Sequence, residues 1–391
     1  MSSVASRSLW PPGTTLLPAP DAGLVELRAE IRAFLAEELA AGRFVPVANS
    51  WMTGHDPAFS RRLAERGWIG MVVPVEYGGH GQRPLARHIV LEELLAAGAP
   101  VAAHWTGDRQ TSLSLLTFGT EEQRRTFLPQ ICAGTFFVCI GMSEPDAGSD
   151  LAAVRLRAER VFGGWRLSGT KVWTSGAQHA SAIVILARTG PSGPSRHEGL
   201  TQFFVELPAQ GLTVRPILLQ DGTHHFNEVH LDNVFVADHR VLGTVGEAWA
   251  QMMAELSWER GGPERFLSTL PLADQLLDDS RYDDATVGEV VARTWVLSQL
   301  ARSVATTLEG GRHPELEAAI LKDLGTEFEV ELTTTLVESA ITSVDDDPLA
   351  DTRLAGIRVV TPFFTLRGGA SEILREVVTR QLGDRWDGTA R

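Results

Sequence analysis

The sequence predicts an α+β protein laid out as helical, β, helical, and three features point there. Apolar residues recur three and four apart through the first third. Short runs rich in β-branched and aromatic residues crowd positions 136–240, and helical periodicity returns from Gly246. The boundaries read from these shifts are a disordered lead-in at 1–20, an all-helical domain at 21–135, a β domain at 136–245 and a helical region at 246–391.

Each element has a local reason. The lead-in MSSVASRSLWPPGTTLLPAP lacks an apolar signal core, and its prolines fit disorder better than a transit peptide. LVELRAEIRAFLAEELAA (24–41) is an amphipathic helix with Asp21 as its cap. PAFSRRLAERGWIGM (57–71) repeats the pattern, with Gly67 ending the helical part. LARHIVLEELLAAGAP (85–100) and TSLSLLTFG (111–119) follow. In GTEEQRRTFLPQICAGT (119–135), Thr120 is an N-cap and acidic residues occupy the first turn, where the helix dipole favours them.

Strand signals come next: TFFVCIGMSE, GWRLSGTKVWTS, SAIVILART, TQFFVELP, GLTVRPILL and NEVHLDNVFV, punctuated by Gly, Pro and Asn-Glu or Asp-Asn turns. RTGPSGPSRHEG (188–199) reads as a hairpin loop. The later helices are GEAWAQMMAELSWER, GEVVARTWVLSQLARSVATTLEGG, ELEAAILKDLGTEFEVELTTTLVESAI and SEILREVVTRQLG (371–383), the last opening at Ser371 and closing at Gly383.

Composition narrows the function classes. The 391 residues are 43% hydrophobic and 21% charged, which are globular proportions. A net charge of −14 argues against a nucleic-acid partner, which needs a clustered positive footprint. Cys132 and Cys139 are too few for a zinc site or a disulfide framework and read as buried thiols, so no metal is expected. No apolar run approaches the ~18 residues of a membrane span, and the cytoplasm is the default location.

Two stretches carry chemistry. In GMSEPDAGSD (141–150), Pro145 and Gly148 prevent regular structure, and serines and backbone amides can point into a cleft. In GTKVWTSGAQHA (169–180), Trp173 offers a flat apolar surface with Thr174 and Ser175 beside it, which suits a flat ring system rich in heteroatoms.

Together the two stretches resemble the acyl-CoA dehydrogenase family. They appear as Ser143-Glu144-Pro145-Asp146-Ala147-Gly148-Ser149-Asp150 and Gly169-Thr170-Lys171-Val172-Trp173-Thr174-Ser175. GTEEQRRTFLPQICAGT, FNEVHLDNVFVADHRVLGTVGEAW and GGASEILREVVTRQLG also resemble family segments, in the family's order, so the resemblance covers nearly the whole chain. It implies a central β-barrel or sandwich and a C-terminal four-helix bundle beside the N-terminal helices. It also implies FAD, an acyl thioester (acyl-CoA or carrier-protein-bound) as substrate, and a trans α,β double bond in the product. An electron-transfer flavoprotein would be the electron acceptor, and the assembly a homodimer or homotetramer. Carried over by position, Met142, Ser143, Trp173, Thr174, Ser175, Ser371 and Glu372 would meet the flavin, and Ser149, Arg260 and Gly369 the substrate.

Many family members place the catalytic glutamate where this chain has Gly368. A glycine keeps its N–H, which could still polarise a thioester carbonyl. Gly368 and Gly369 could also simply allow a tight turn. A branch that includes isovaleryl-CoA dehydrogenase carries the base in a Leu-x-x-Glu-Arg pattern, here Leu256-Ser257-Trp258-Glu259-Arg260. Glu259 is therefore the candidate base and Glu255, one turn earlier, the fallback. Gly261-Gly262-Pro263 should break the helix just beyond Glu259, because Pro263 cannot donate to the Glu259 carbonyl.

Some positions depart from the family. DDSRYDDATVGEVVARTWVLSQ (278–299) and TSVDDDPLADTRLAG (342–356) replace segments that bind the adenosine pyrophosphate half of FAD. Arg367 replaces an aromatic residue and reads either as a surface ion pair or as a contact for a polar acyl group or phosphate. Two other readings stay open: a non-catalytic subunit of a heteromer, and a flavin oxidase or monooxygenase on the same fold.

Overall fold

The computed structural model describes residues 21–191, 193–273, 282–342 and 356–386. The lead-in at 1–20 and most of the altered 342–356 segment lie outside the described residues. The chain divides into two compact units: Met1–Trp51, Arg83–Pro100 and Arg260–Arg391 form one, and Met52–Gln82 with Val101–Glu259 form the other. Among the described residues no helix is long and apolar enough to cross a membrane.

The first unit is helical. It contains α1 (Ala22–Ala40), α4 (Pro84–Ala96), α9 (Asp284–Glu309), α10 (Glu315–Thr342) and α11 (Ser371–Trp386), with α1 on α4, α4 and α10 on α9, and α11 on α10. Asp21 caps α1 through the Gly23 N–H at 3.0 Å. Glycine at 383 does not end α11, which runs three residues further. A single Gly costs only about 1 kcal/mol in a helix interior.

Three expected helical segments join the unit that holds the strands, α3 (Pro57–Glu65), α6 (Ser112–Phe118) and α7 (Glu121–Cys132), together with α5 (Ala102–Thr106), which the sequence did not announce. A four-residue turn of helix, α2 (Ser50–Thr53), spans the unit boundary, and α8 (Ala248–Arg260) follows the strands. Helix α8 does end at Arg260, and Pro263 opens a short 3₁₀ turn, as the Gly-Gly-Pro run predicts.

The strands form one mixed eight-stranded sheet. They are β1 (Val138–Gly141), β2 (Arg157–Val161), β3 (Gly164–Ser175), β4 (Ala182–Arg188), β5 (Leu200–Glu206), β6 (Leu212–Leu218), β7 (His224–Ala237) and β8 (Val241–Leu242). Their order is β6-β7-β3-β2-β4-β5-β8, with β1 parallel to β4. Strand β2 carries no apolar run and is absent from the strands read from sequence. Asp232-Asn233, read as a turn, lies inside β7, where the pairing with β3 slips and Asn233 takes a left-handed φ of 53°.

One face of the sheet packs Leu156, Trp165, Leu167, Ile183, Ile185, Phe203, Val229 and Val234 together. The other core joins Leu115, Phe127, Leu128 and Ile131 of the helices to Val138, Val184 and Phe204. Phe127 and Phe204 stand 4.3 Å apart. Thr120 and Gln123 form a reciprocal capping box on α7, and the Gln123 amide also donates to the His239 and Val241 carbonyls, pinning α7 to the strand region.

Strand β3 bulges between Lys171 and Thr174, so that Trp173 turns outward with φ of 58°. The bulge is fastened to the 142–150 loop. The Val172 N–H donates to the Ser143 carbonyl at 2.9 Å, and Lys171 Nζ donates to the Met142 carbonyl at 2.8 Å. Lys171 also pairs with Glu144 at 2.7 Å, and the Glu144 carboxylate accepts from the Arg155 and Leu156 N–H groups. Burial pushes the Lys171 ammonium down to about 8, against the pull of Glu144.

Two outcomes follow for stability. Phe204→Ala, at a fully buried site, should lower unfolding free energy by about 3–5 kcal/mol in denaturant titration. Lys171→Ala strands Glu144 without its cation and should cost a similar amount, about 3–5 kcal/mol. Part of that loss should return in the Lys171→Met/Glu144→Gln double variant.

Candidate functional site

The two motifs singled out in the sequence, whose Glu144 and Lys171 stand 27 positions apart, meet as one surface because of the bulge and the ion pair beneath it. Trp173 is 56% exposed and touches Phe226 edge-on at 5.7 Å, leaving its indole largely open. Thr174 is buried, and its hydroxyl has no hydrogen-bond partner among the described residues. Ser143 and Ser175 are half-buried. Met142 packs against the cluster of Ala147, Val154, Leu186, Leu200, Ala248 and Met252. Ser149 is exposed on the same loop, which folds back through a tight Glu144–Ala147 turn.

An open indole beside an orphaned hydroxyl and half-buried serines suits a planar ring edged with nitrogen and oxygen. The residues present therefore fit the isoalloxazine end of FAD. Asn227 of β7, to which the sequence gave no role, supports this edge: it is fully buried, and its amide donates to the Thr174 carbonyl at 3.0 Å and to the Gln178 side chain. Glu144 and Lys171 were likewise inside the quoted motifs without an assigned task, although a Lys among apolar strand residues was a usable signal.

On α8 of the same unit, Glu259 is half-buried. Glu255 is buried, with Ser114 donating to Oε1 at 2.7 Å and Gln202 to Oε2 at 2.9 Å. Burial is the main cause that pushes the Glu255 carboxyl up to about 7. Arg109 donates to the Trp258 carbonyl at 3.1 Å and holds this end of the helix.

Within the helical unit, the closing loop is built around arginines. Gly368 and Gly369 have φ of 70° and 107°, a region that disfavours side chains. A Cβ on Gly368 would come within 2.8 Å of Arg265 Nη1, and one on Gly369 within 3.0 Å of Arg260 Nη2. Arg260 Nε donates to the Gly368 carbonyl at 2.9 Å. Ser371 is buried as the first residue of α11, and Glu372 is exposed. The Ala370 carbonyl accepts from the Leu374 N–H, which puts Ala370 rather than Ser371 at the cap position.

Arg367 is neither a surface ion pair nor an open contact. It is buried, donates to Asn49 at 2.8 Å and Ser268 at 3.1 Å, pairs with the buried Glu329, and lies 3.8 Å over the Phe364 ring. Burial pushes its guanidinium down to about 10.

Comparison with known proteins identifies the family. Residues 23–135 match the acyl-CoA dehydrogenase N-terminal domain, and residues 139–234 match the acyl-CoA dehydrogenase middle domain. The chain is 34% identical over 333 residues to acyl-CoA dehydrogenase FadE34 of Mycobacterium tuberculosis, covering 82% of this chain and 45% of that protein. It therefore spans less than half the length of that relative. It is 36% identical over 301 residues to acyl-CoA dehydrogenase IpdE1 of the same organism, covering 73% of this chain and 77% of that protein. A solved structure named Tcur3481-Tcur3483 steroid ACAD superposes with a TM-score of 0.80 at 26% identity, covering 96% of this chain and 99% of that chain. The chain belongs to the acyl-CoA dehydrogenase family, whose members are FAD-dependent oxidoreductases.

Proposed function

We propose that this protein dehydrogenates an acyl thioester across its α and β carbons, with Glu259 as the base that takes the α proton. The observation that carries this reading is the position of Glu259, half-buried and next to last in a helix that stops at a Gly-Gly-Pro run. A carboxylate there is shielded enough to be a usable base yet open enough to meet a ligand. When bound, FAD supplies the two-electron acceptor for the β hydrogen.

The chain's own residues have separable tasks. Trp173, Thr174, Ser143 and Ser175 bind and orient the planar ring, with Met142 supporting the loop behind them. Glu259 receives the α proton on a carboxylate oxygen. The Gly368 N–H donates to the thioester carbonyl as charge develops there, and the glycine keeps the backbone free of a side chain. Arg260, bonded to the Gly368 carbonyl, holds the peptide that joins Gly368 to Gly369. Ser149 and Gly369 contact the thioester side of the substrate, and Ser371 and Glu372 complete the cofactor's surroundings. Electrons leave to an electron-transfer flavoprotein, and the assembly is a homodimer or homotetramer.

A relative named as a steroid ACAD makes a steroid-derived acyl-CoA the first member of a substrate panel, beside straight and branched chains. Under anaerobic conditions the wild type should lose flavin absorbance with at least one member. Glu259→Gln should keep its FAD and show no bleaching. Normal bleaching in that variant would remove Glu259 from the reaction.

A further inference from the structure

We propose that Glu255 is a positioning residue that stores a proton on Oε1, directed at the Ser114 hydroxyl, so that Glu259 is the lone carboxylate on that face of α8. Release of the stored proton then places a second negative charge beside Glu259. The second half rests on the reading of Glu259 as the base.

Hydrogen-bond arithmetic supports the stored proton. Ser114 Oγ lies 2.7 Å from Glu255 Oε1 and 3.1 Å from the Gln110 carbonyl. A hydroxyl has one proton and cannot donate to both. Were Glu255 ionised, the serine would have to abandon one acceptor. With the proton on Oε1, Glu255 donates to Ser114, and Ser114 donates to Gln110. Oε2 meanwhile accepts from the Gln202 amide at 2.9 Å. Gln202 Oε1 in turn accepts from Gln251 at 3.1 Å once the Gln251 amide is oriented to donate. The chain Gln251, Gln202, Glu255, Ser114, Gln110 then runs in one donor direction with every member satisfied.

The electrostatic setting agrees. Among the described residues no cation pairs with Glu255. The charged group that acts on it is Glu259 on its own helix, while Arg109 from the segment before α6 donates to the Trp258 carbonyl. Ser114 of α6 and Gln202 of β5 are neutral. Residues four apart share a helix face, so two charges there would repel. A buried acid that gives up its charge relieves that repulsion.

The sign for stability follows. The folded-state value of about 7 exceeds the ordinary 4.5, so the proton's contribution is complete below 4.5 and is lost as pH rises through about 7.

The test uses FAD-loaded full-length protein as wild type, Glu255→Gln, Ser114→Ala and Glu259→Gln. Infrared spectra of the wild type should show a carboxylic-acid C=O band that fades as pH rises through about 7. That band should be missing in Glu255→Gln and displaced in Ser114→Ala, which assigns it even if Glu255→Gln folds poorly. The wild-type melting temperature should fall over the same window relative to Glu255→Gln. The pH profile of flavin reduction should lose one inflection in Glu255→Gln. A wild type without the band, or a band unchanged in both Glu255→Gln and Ser114→Ala, overturns the stored proton. Full bleaching by Glu259→Gln overturns the coupling to the base, and the infrared arm separates that failure from the first.

Discussion

The pair between Lys171 and Glu144 is the constraint on which the candidate site rests. Both groups are withdrawn from water, and neither could stay there alone. Lys171 uses its ammonium on a carboxylate and on the Met142 carbonyl, while Glu144 takes two backbone N–H groups from the chain that leaves its loop. A loop that Pro145 and Gly148 keep irregular thus acquires fixed partners without becoming a strand. The bulge that turns Trp173 outward is held from the same place, through the Val172 N–H. A buried charge pair contributes little net stability, but it admits few alternative arrangements, which is what a binding surface requires.

The helical unit uses buried charge in the same manner. Arg367, Glu329, Asn49 and Ser268 interlock beneath the loop that carries Gly368 and Gly369. Two further guanidinium groups, of Arg265 and Arg260, lie flush against those glycines. The missing side chains therefore have a packing reason independent of any ligand: the arginines occupy the space a Cβ would need. Under the proposed reading, the bare backbone also lets the Gly368 N–H serve the thioester, while the Gly369 N–H donates to the Leu366 carbonyl. One sequence choice serves both ends.

Much of the fold was legible because local signals agreed with one another. Asp21 and Thr120 cap the helices they precede, and Gly67 follows the end of α3 with the positive φ that a glycine tolerates. Strand β4 announces itself as a nearly continuous apolar run, and β5 by its Phe203-Phe204-Val205 stretch. What was not legible is non-local. Strand β2, RAERV, buries only Ala158 and is recruited by pairing with β3, so no periodicity marks it. Asp232-Asn233 has turn composition yet serves a bulge. The site divides the same way: its motifs were readable by residue type, whereas Asn227 under Thr174, and Ser114 and Gln202 around Glu255, became visible only through contacts between distant segments.

Proton abstraction by Glu259 is the central claim, and it can be separated from electron transfer. A saturated acyl-CoA analogue that cannot lose its β hydrogen should exchange its α hydrogen with deuterium from heavy water in the presence of the FAD-loaded protein, read by mass spectrometry. The account predicts exchange with the wild type and a rate reduced to background with Glu259→Gln. Equal exchange by both proteins would contradict it.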